Sequence, residues 1–231
     1  MKKKIIAIAL SILMLLAIFP VSAFAAEYPA IDTQKAIEDI LTEINAEYGT
    51  NIHILTNSEK QPYEVSSANI PTMTASKLAD LKNELRHIAE YEIPEFERTT
   101  QEAMQVIARV NTSLCTDIEF PEATVTAYDY DPLFAIKAID YAVAAAEAYI
   151  TKDRYGNTVW GSVINKFCIT DRTQSRWFYA ASPTVSRIDG GRTLYWVGTG
   201  DYCATIDGVQ YFLSSGTQYA EMYVGNYITQ Q

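Results

Sequence analysis

Histidine sets the first limit on the chemistry open to this 231-residue chain, which contains two. Glu84, His87 and Glu90 stand three residues apart, so on a helix Glu84 and His87 at least are neighbours on one face. Glu-x-x-His is the spacing by which helices of di-iron bundles offer ligands, but that architecture needs two such pairs and this chain has one. No H-E-x-x-H sequence occurs, which excludes a zincin. These three residues are the weak catalytic candidates for a hydrolase, metal-dependent in one version. A solvated helix face is the plainer account of them, and no metal site is assigned. His53 lies between Ile52 and Ile54 and reads as a satisfied strand histidine on the more polar side.

Other nucleophile and cation patterns are weaker still. Asp117, Glu119, Glu122, Asp129 and Asp131 crowd one loop-like stretch of the kind hard cations use, but no EF-hand pattern is present and Asp131 is placed to cap a helix. There is no G-x-S-x-G elbow and no S-x-x-K pair. Cys115 closes an apolar stripe with no local histidine to activate it. A glycine-rich phosphate cradle is missing, and nothing implies a cofactor. Cys168 and Cys203 fall on expected strands of one small sheet and could bridge in an exported protein; two buried thiols are the alternative.

Aromatic side chains are the remaining resource. Residues 151–231 hold eight Tyr, three Trp and three Phe. Exposed rings on a rigid sheet suit sugar rings or peptides, which makes Trp177, Trp196 and Tyr195 candidate binding residues. Against this, alternation places Tyr195 and Val197 on one strand face and Leu194 and Trp196 on the other. Both faces are then apolar, as in a sheet covered on both sides.

The elements that would position these groups follow from periodicity. Ala36, Ile37, Ile40, Leu41 and Ile44 form one helical stripe, with Asp32 or Thr33 as N-cap and Gly49 as terminator. After a short strand at 52–55 and a loop at 60–71, Leu78, Leu81, Leu85 and Ile88 predict a second helix that Pro94 should close. Phe96, Ala103, Ile107, Val110 and Leu114 predict a third. Asp131 and Pro132 open an expected fourth, striped by Ile136, Ile139, Val143, Ala146 and Ile150. Beyond Gly156 the period changes to two. Asp189, Gly190 and Gly191 mark one hairpin, Asp207 and Gly208 another. Strands are expected near 158–170, 176–181 and 218–229, besides those flanking the two hairpin turns. The fold class is therefore α+β, with about four N-terminal antiparallel helices followed by an antiparallel β-meander of five or six strands.

Composition divides the chain at the same place. Residues 26–150 hold 22 acidic and 8 basic side chains, whereas 151–231 hold 6 and 7. The segments are thus a leader at 1–25, an acidic helical region at 26–150 and an aromatic-rich antiparallel β-domain at 151–231. The leader has Lys2, Lys3 and Lys4, an apolar run too short to span a bilayer, and Ala23, Phe24 and Ala25 in the pattern a signal peptidase reads. Cleavage is expected after Ala25 or Ala26, giving a secreted bacterial protein without a transmembrane anchor. Loss of three lysines takes the net charge from −10 to −13. Acidity of that size excludes nucleic acid as a partner. The expected role is non-enzymatic binding of a carbohydrate or protein at the cell envelope, through the aromatic β-domain. The alternative is a secreted hydrolase with a site between the helical and β parts.

Overall fold

The computed structural model describes residues 32–55, 70–114 and 132–228. The leader, Cys115 and the acidic stretch at 117–131 lie outside them, so the expectations about export, that cysteine and a cation loop are neither met nor corrected here.

The first helix, α1 (Thr33–Tyr48), is built as its sequence predicts. Asp32 accepts from the Lys35 amide at 3.2 Å, and Gly49 ends the helix with φ 68°. Asn45 then turns the chain: its Nδ2 donates to the Ile52 carbonyl and its Oδ1 accepts from the Ile52 amide, both at 2.8 Å. This delivers β1 (His53–Ile54) to a sheet edge.

Pro94 does not close the next helix. α2 (Ala75–His87) passes through a π-helical turn (Ile88–Glu92) directly into α3 (Ile93–Leu114), so that one helical rod replaces the two expected. In the turn the Ile93 amide donates to the Ile88 carbonyl, five residues back. Proline is tolerated in the first turn of a helix, where its missing N–H is not needed, and Pro94 occupies such a place immediately after the turn. Leu78, Leu81, Leu85, Ile88, Ala89, Ile93, Phe96 and Ala103 are all buried, so the rod keeps one face on the core across the π turn.

The expected fourth helix is also corrected. Residues there form the hairpin β2 (Leu133–Ile139) and β3 (Ala142–Lys152) around Asp140 and Tyr141. In β3 the inward residues Ala144, Ala146, Ala148 and Ile150 are buried at period two, and small side chains let the strand pack closely against its neighbours. The consequence is an α+β chain whose strands, β1 apart, begin at residue 133. They form two antiparallel sheets, in place of four helices followed by one meander.

The smaller sheet is the meander β2–β3–β4, with β4 at Thr158–Ile169. The larger contains β5 (Arg176–Tyr179), β6 (Thr184–Ile188), β7 (Thr193–Ile206) and β8 (Val209–Tyr223), followed by a short helix α4 (Gly225–Ile228). Long β7 pairs with β8 along one edge and with β6 and β5 in succession along the other, while β1 adds to β8. The Asp-Gly-Gly and Asp-Gly hairpins lie where expected.

One large core joins these layers. Phe96 of α3 stacks on Tyr202 of β7 with ring centroids 4.6 Å apart. Gly216 permits this approach, since a Cβ there would lie 2.5 Å from the Phe96 ring and closer still to Thr100. Two indoles staple sheet to sheet. Trp160 of β4 donates to the Met222 carbonyl of β8 at 2.9 Å, and Trp196 of β7 donates to the Phe167 carbonyl of β4 at 3.0 Å.

Candidate functional site

The helical rod meets the larger sheet in a cluster of charged and phenolic side chains. Arg176 of β5 grips Glu92 with both ends of its fork, Nε to Oε2 at 2.6 Å and Nη2 to Oε1 at 3.0 Å. Its Nη atoms lie 3.4 Å from Glu84 Oε1. Tyr202 donates its hydroxyl to Glu92 Oε2 at 2.9 Å. The π turn makes this possible. At about 100° per residue, positions eight apart on an α-helix diverge by roughly 80°, but with one residue absorbed they behave as seven apart and align. Glu84 and Glu92 thereby reach one guanidinium.

A second unusual backbone converges on the same place. Tyr141 has φ 64°, the left-handed region that bulky residues avoid. Its carbonyl accepts from the Phe178 amide at 2.9 Å and its ring lies 4.7 Å from that of Tyr202. The β2–β3 turn is thus pinned to the larger sheet beside the Glu92 cluster.

Electrostatics decide what the cluster can do. Burial alone would push the Glu92 carboxyl up, but the hydrogen bonds from Arg176 and Tyr202 and the guanidinium charge hold it below the usual carboxylate range. Burial, then the Glu92 charge, raises the Tyr202 phenol far above its ordinary value. A carboxylate held this low is a poor base, and a phenol held this high is a poor acid. The arrangement clamps helix to sheet, with its groups satisfied by one another.

The three catalytic candidates do not assemble. Glu84 turns to Arg176, while exposed His87 packs its ring 5.1 Å from that of Tyr91. Glu90 faces Tyr91 and raises the Tyr91 phenol by a hydrogen bond and by its charge. The π turn begins one residue after His87 and breaks the expected spacing. Among the described residues no three His, Cys, Asp or Glu side chains are grouped as metal ligands.

The aromatic candidates are core residues. Trp196 is fully buried as an inter-sheet staple, Trp177 is 3% exposed with its Nε1 donating to Thr205 Oγ1 at 3.1 Å, and Tyr195 is 4% exposed. Burial, then the neighbouring Tyr219 and Glu221, pushes the Tyr195 phenol up to about 12. None offers a ring face to a ligand. Cys168 and Cys203, the cysteines among the described residues, are free. Cys168 lies in the smaller sheet near Thr170 and the Phe178 carbonyl, whereas Cys203 packs with Leu55 and Trp177 in a separate apolar cluster of the larger sheet. Burial raises both thiols.

Exposed apolar surface is found elsewhere, on the outer side of the smaller sheet. Register places three cross-strand rows there: Phe134, Glu147 and Asn165; Ile136, Ala145 and Phe167; Ala138, Val143 and Ile169. Phe134 and Phe167 stack with centroids 5.8 Å apart and planes 11° from parallel. Even so, Phe134 is 51%, Ile136 54%, Phe167 40% and Ile169 50% exposed. Asn165 donates to Glu147 at 2.6 Å and closes one end of the face in polar contacts. Sequence reasoning passed over these residues because Ile136 also fits a helical stripe. The alternation of Phe134, Ile136 and Ala138 was the available signal.

No protein-family model, curated protein or solved structure matches this chain.

Proposed function

We propose that the chain is an exported, non-enzymatic interaction protein of the bacterial envelope or extracellular space, meeting its partner through the outer face of β2–β3–β4. Export rests on the lysine, apolar and Ala-x-Ala pattern of the leader. The interaction surface rests on one observation: four large apolar side chains, each 40–54% exposed, are adjacent on one sheet face. Together they leave on the order of 300–400 Å² of apolar surface in water, the size of the largest apolar patch on a typical monomer, which is often functional. The face carries few hydrogen-bonding groups, which favours a protein over a carbohydrate as its partner.

The test is co-sedimentation of the purified chain, freed of residues 1–25, with isolated envelope fractions. Phe134→Ala with Phe167→Ala should reduce binding while near-ultraviolet circular dichroism stays native. Tyr155→Ala, at a residue 73% exposed in the β3–β4 turn, should leave binding intact. Failure of the parent chain to bind any protein-containing fraction would refute an envelope partner.

A further inference from the structure

We infer that the outer face of the larger sheet binds an uncharged polysaccharide, gripped by Tyr219 and Tyr223 of β8 and by the hydroxyls and carboxylates beside them. This site is separate from the apolar face of β2–β3–β4, and neither reading depends on the other.

The register of the larger sheet builds this face. Leu194, Trp196 and Tyr202 of β7 point into the core, so the residues that alternate with them point outward. Pairing with β8 then sets four outward rows: Thr193 with Tyr223, Tyr195 with Glu221, Val197 with Tyr219, and Thr199 with Thr217. Along β8, Tyr219 and Tyr223 flank Glu221, each about 7 Å from it. Tyr223 is 48% exposed, and its ring lies against Gly225, where a Cβ would sit 2.5 Å from it. The Tyr219 ring lies 5.8 Å from that of Tyr195, whose buried hydroxyl has no hydrogen-bond partner among the described residues. Polar groups continue the strip. Thr199 and Thr217 share a hydrogen bond of 2.9 Å, and Ser215 donates to Asp201 at 3.0 Å. Arg172 ends it, its guanidinium 5.2 Å over the ring of Tyr179, which pairs with Asp201.

Rings interspersed with hydroxyls and carboxylates match one class of ligand. A sugar presents an apolar C–H face to an aromatic ring and edge hydroxyls to polar side chains. Glu221 can accept from a sugar stacked on Tyr219 or Tyr223, and a sugar hydroxyl reaching between them gives the Tyr195 phenol a partner. Thr199 and Ser215, both exposed, and the Asp201 carboxylate serve the next sugar along the strip. Two carboxylates on the face of an acidic chain repel uronate and phosphate polymers, which limits the ligand to a neutral one. Paired strands hold the rings in place before binding, so little ordering is required.

Pull-down of the chain freed of residues 1–25 with insoluble cellulose, chitin and starch, and titration with the soluble oligosaccharides of each, should show binding to at least one and none to alginate. Tyr219→Ala with Tyr223→Ala should weaken that binding about tenfold or more, whereas Tyr219→Phe with Tyr223→Phe keeps the rings and should retain most of it. Phe134→Ala with Phe167→Ala should leave it unchanged, which separates this site from the apolar face of the smaller sheet. Tyrosine ring signals in the nuclear magnetic resonance spectrum of the parent chain should shift during titration, a measurement independent of any variant. A parent chain that binds none of the neutral polysaccharides overturns the inference, as does a double-alanine variant that binds like its parent, or tighter binding to alginate. Envelope material that still binds through Tyr219 and Tyr223 after periodate has destroyed its sugars, and ceases to after proteolysis, assigns the face to a protein and refutes a polysaccharide.

Discussion

Arg176 holds two carboxylates of the helical rod, and its replacement by methionine isolates the worth of that clasp. Methionine keeps most of the apolar stem and removes the charge. Glu92 is then left with one neutral donor, the Tyr202 hydroxyl, and Glu84 with no guanidinium. Breaking a buried pair from one side costs about 3–5 kcal/mol because the remaining charge is stranded. The Arg176 and Glu92 side chains are 14% and 22% exposed, so water relieves part of this and the low end, about 3 kcal/mol, applies. At about 2–4 °C per kcal/mol for a chain of this size, melting should fall by roughly 6–12 °C. Glu92→Gln removes the charge and turns one accepting oxygen into an NH2 that faces a donor, and should cost about 1–3 kcal/mol. Because the folded carboxyl is depressed, its contribution is complete above the unfolded value of about 4.3 and drains as pH falls through the lower folded value. The stability gap between the parent chain and Glu92→Gln should therefore close in acid. Urea titrations from neutral pH downwards measure both quantities. A loss under about 1 kcal/mol for Arg176→Met, or a gap that persists in acid, would refute the clasp.

Three further outcomes are expected. Deleting exposed Glu90 should restore α-helical spacing but force Pro94 against a carbonyl four residues earlier, costing about 3 kcal/mol; Pro94→Ala should rescue the deletion, and thermal melting of the pair decides. Gly216→Ala puts a methyl into Phe96 and Thr100 and should destabilise by about 1–3 kcal/mol in urea, with α3 amides losing exchange protection first. Cys168 and Cys203 should both alkylate under non-reducing denaturing conditions, and Cys203 should resist alkylation in the folded chain; a disulfide-linked peptide pair in the mass spectrum would contradict the separate environments described above.

Much of the local structure is legible in the residues. Asp32 and Gly49 bracket α1, and the two glycine-bearing hairpins fix β6, β7 and β8, because caps and turns depend on neighbours in sequence. The helical rod was half legible. The stripe runs on through Leu85, Ala89, Ile93 and Phe96 at helical spacing, yet Pro94 standing within it reads as a stop. The hairpin at 133–152 was misleading because Ile136, Ile139, Val143, Ala146 and Ile150 satisfy a helical period while alanine favours helix. Packing beneath the larger sheet overrides that preference. The Glu92 cluster was illegible for another reason. Its members, at 84, 92, 176 and 202, come from the rod and two strands, and no spacing links them before the fold exists.

The placement of β1 bears on how such a chain must be made. His53 pairs with Phe212 and Ile54 with Tyr211, so an early element finds its partner only in the last strand. A chain emerging amino end first, from a ribosome or an export channel, presents the apolar stripes of α1 and the rod long before β8 exists to receive them. Residues 133–169 face no such delay, since β2, β3 and β4 pair in sequence. Synthesis thus passes through a stage with a completed small sheet and an uncovered helical arm, and release from that stage waits on the final twenty or so residues. A holding chaperone that recognises exposed leucine and isoleucine would have its longest opportunity there, and truncations ending before residue 211 would never leave it.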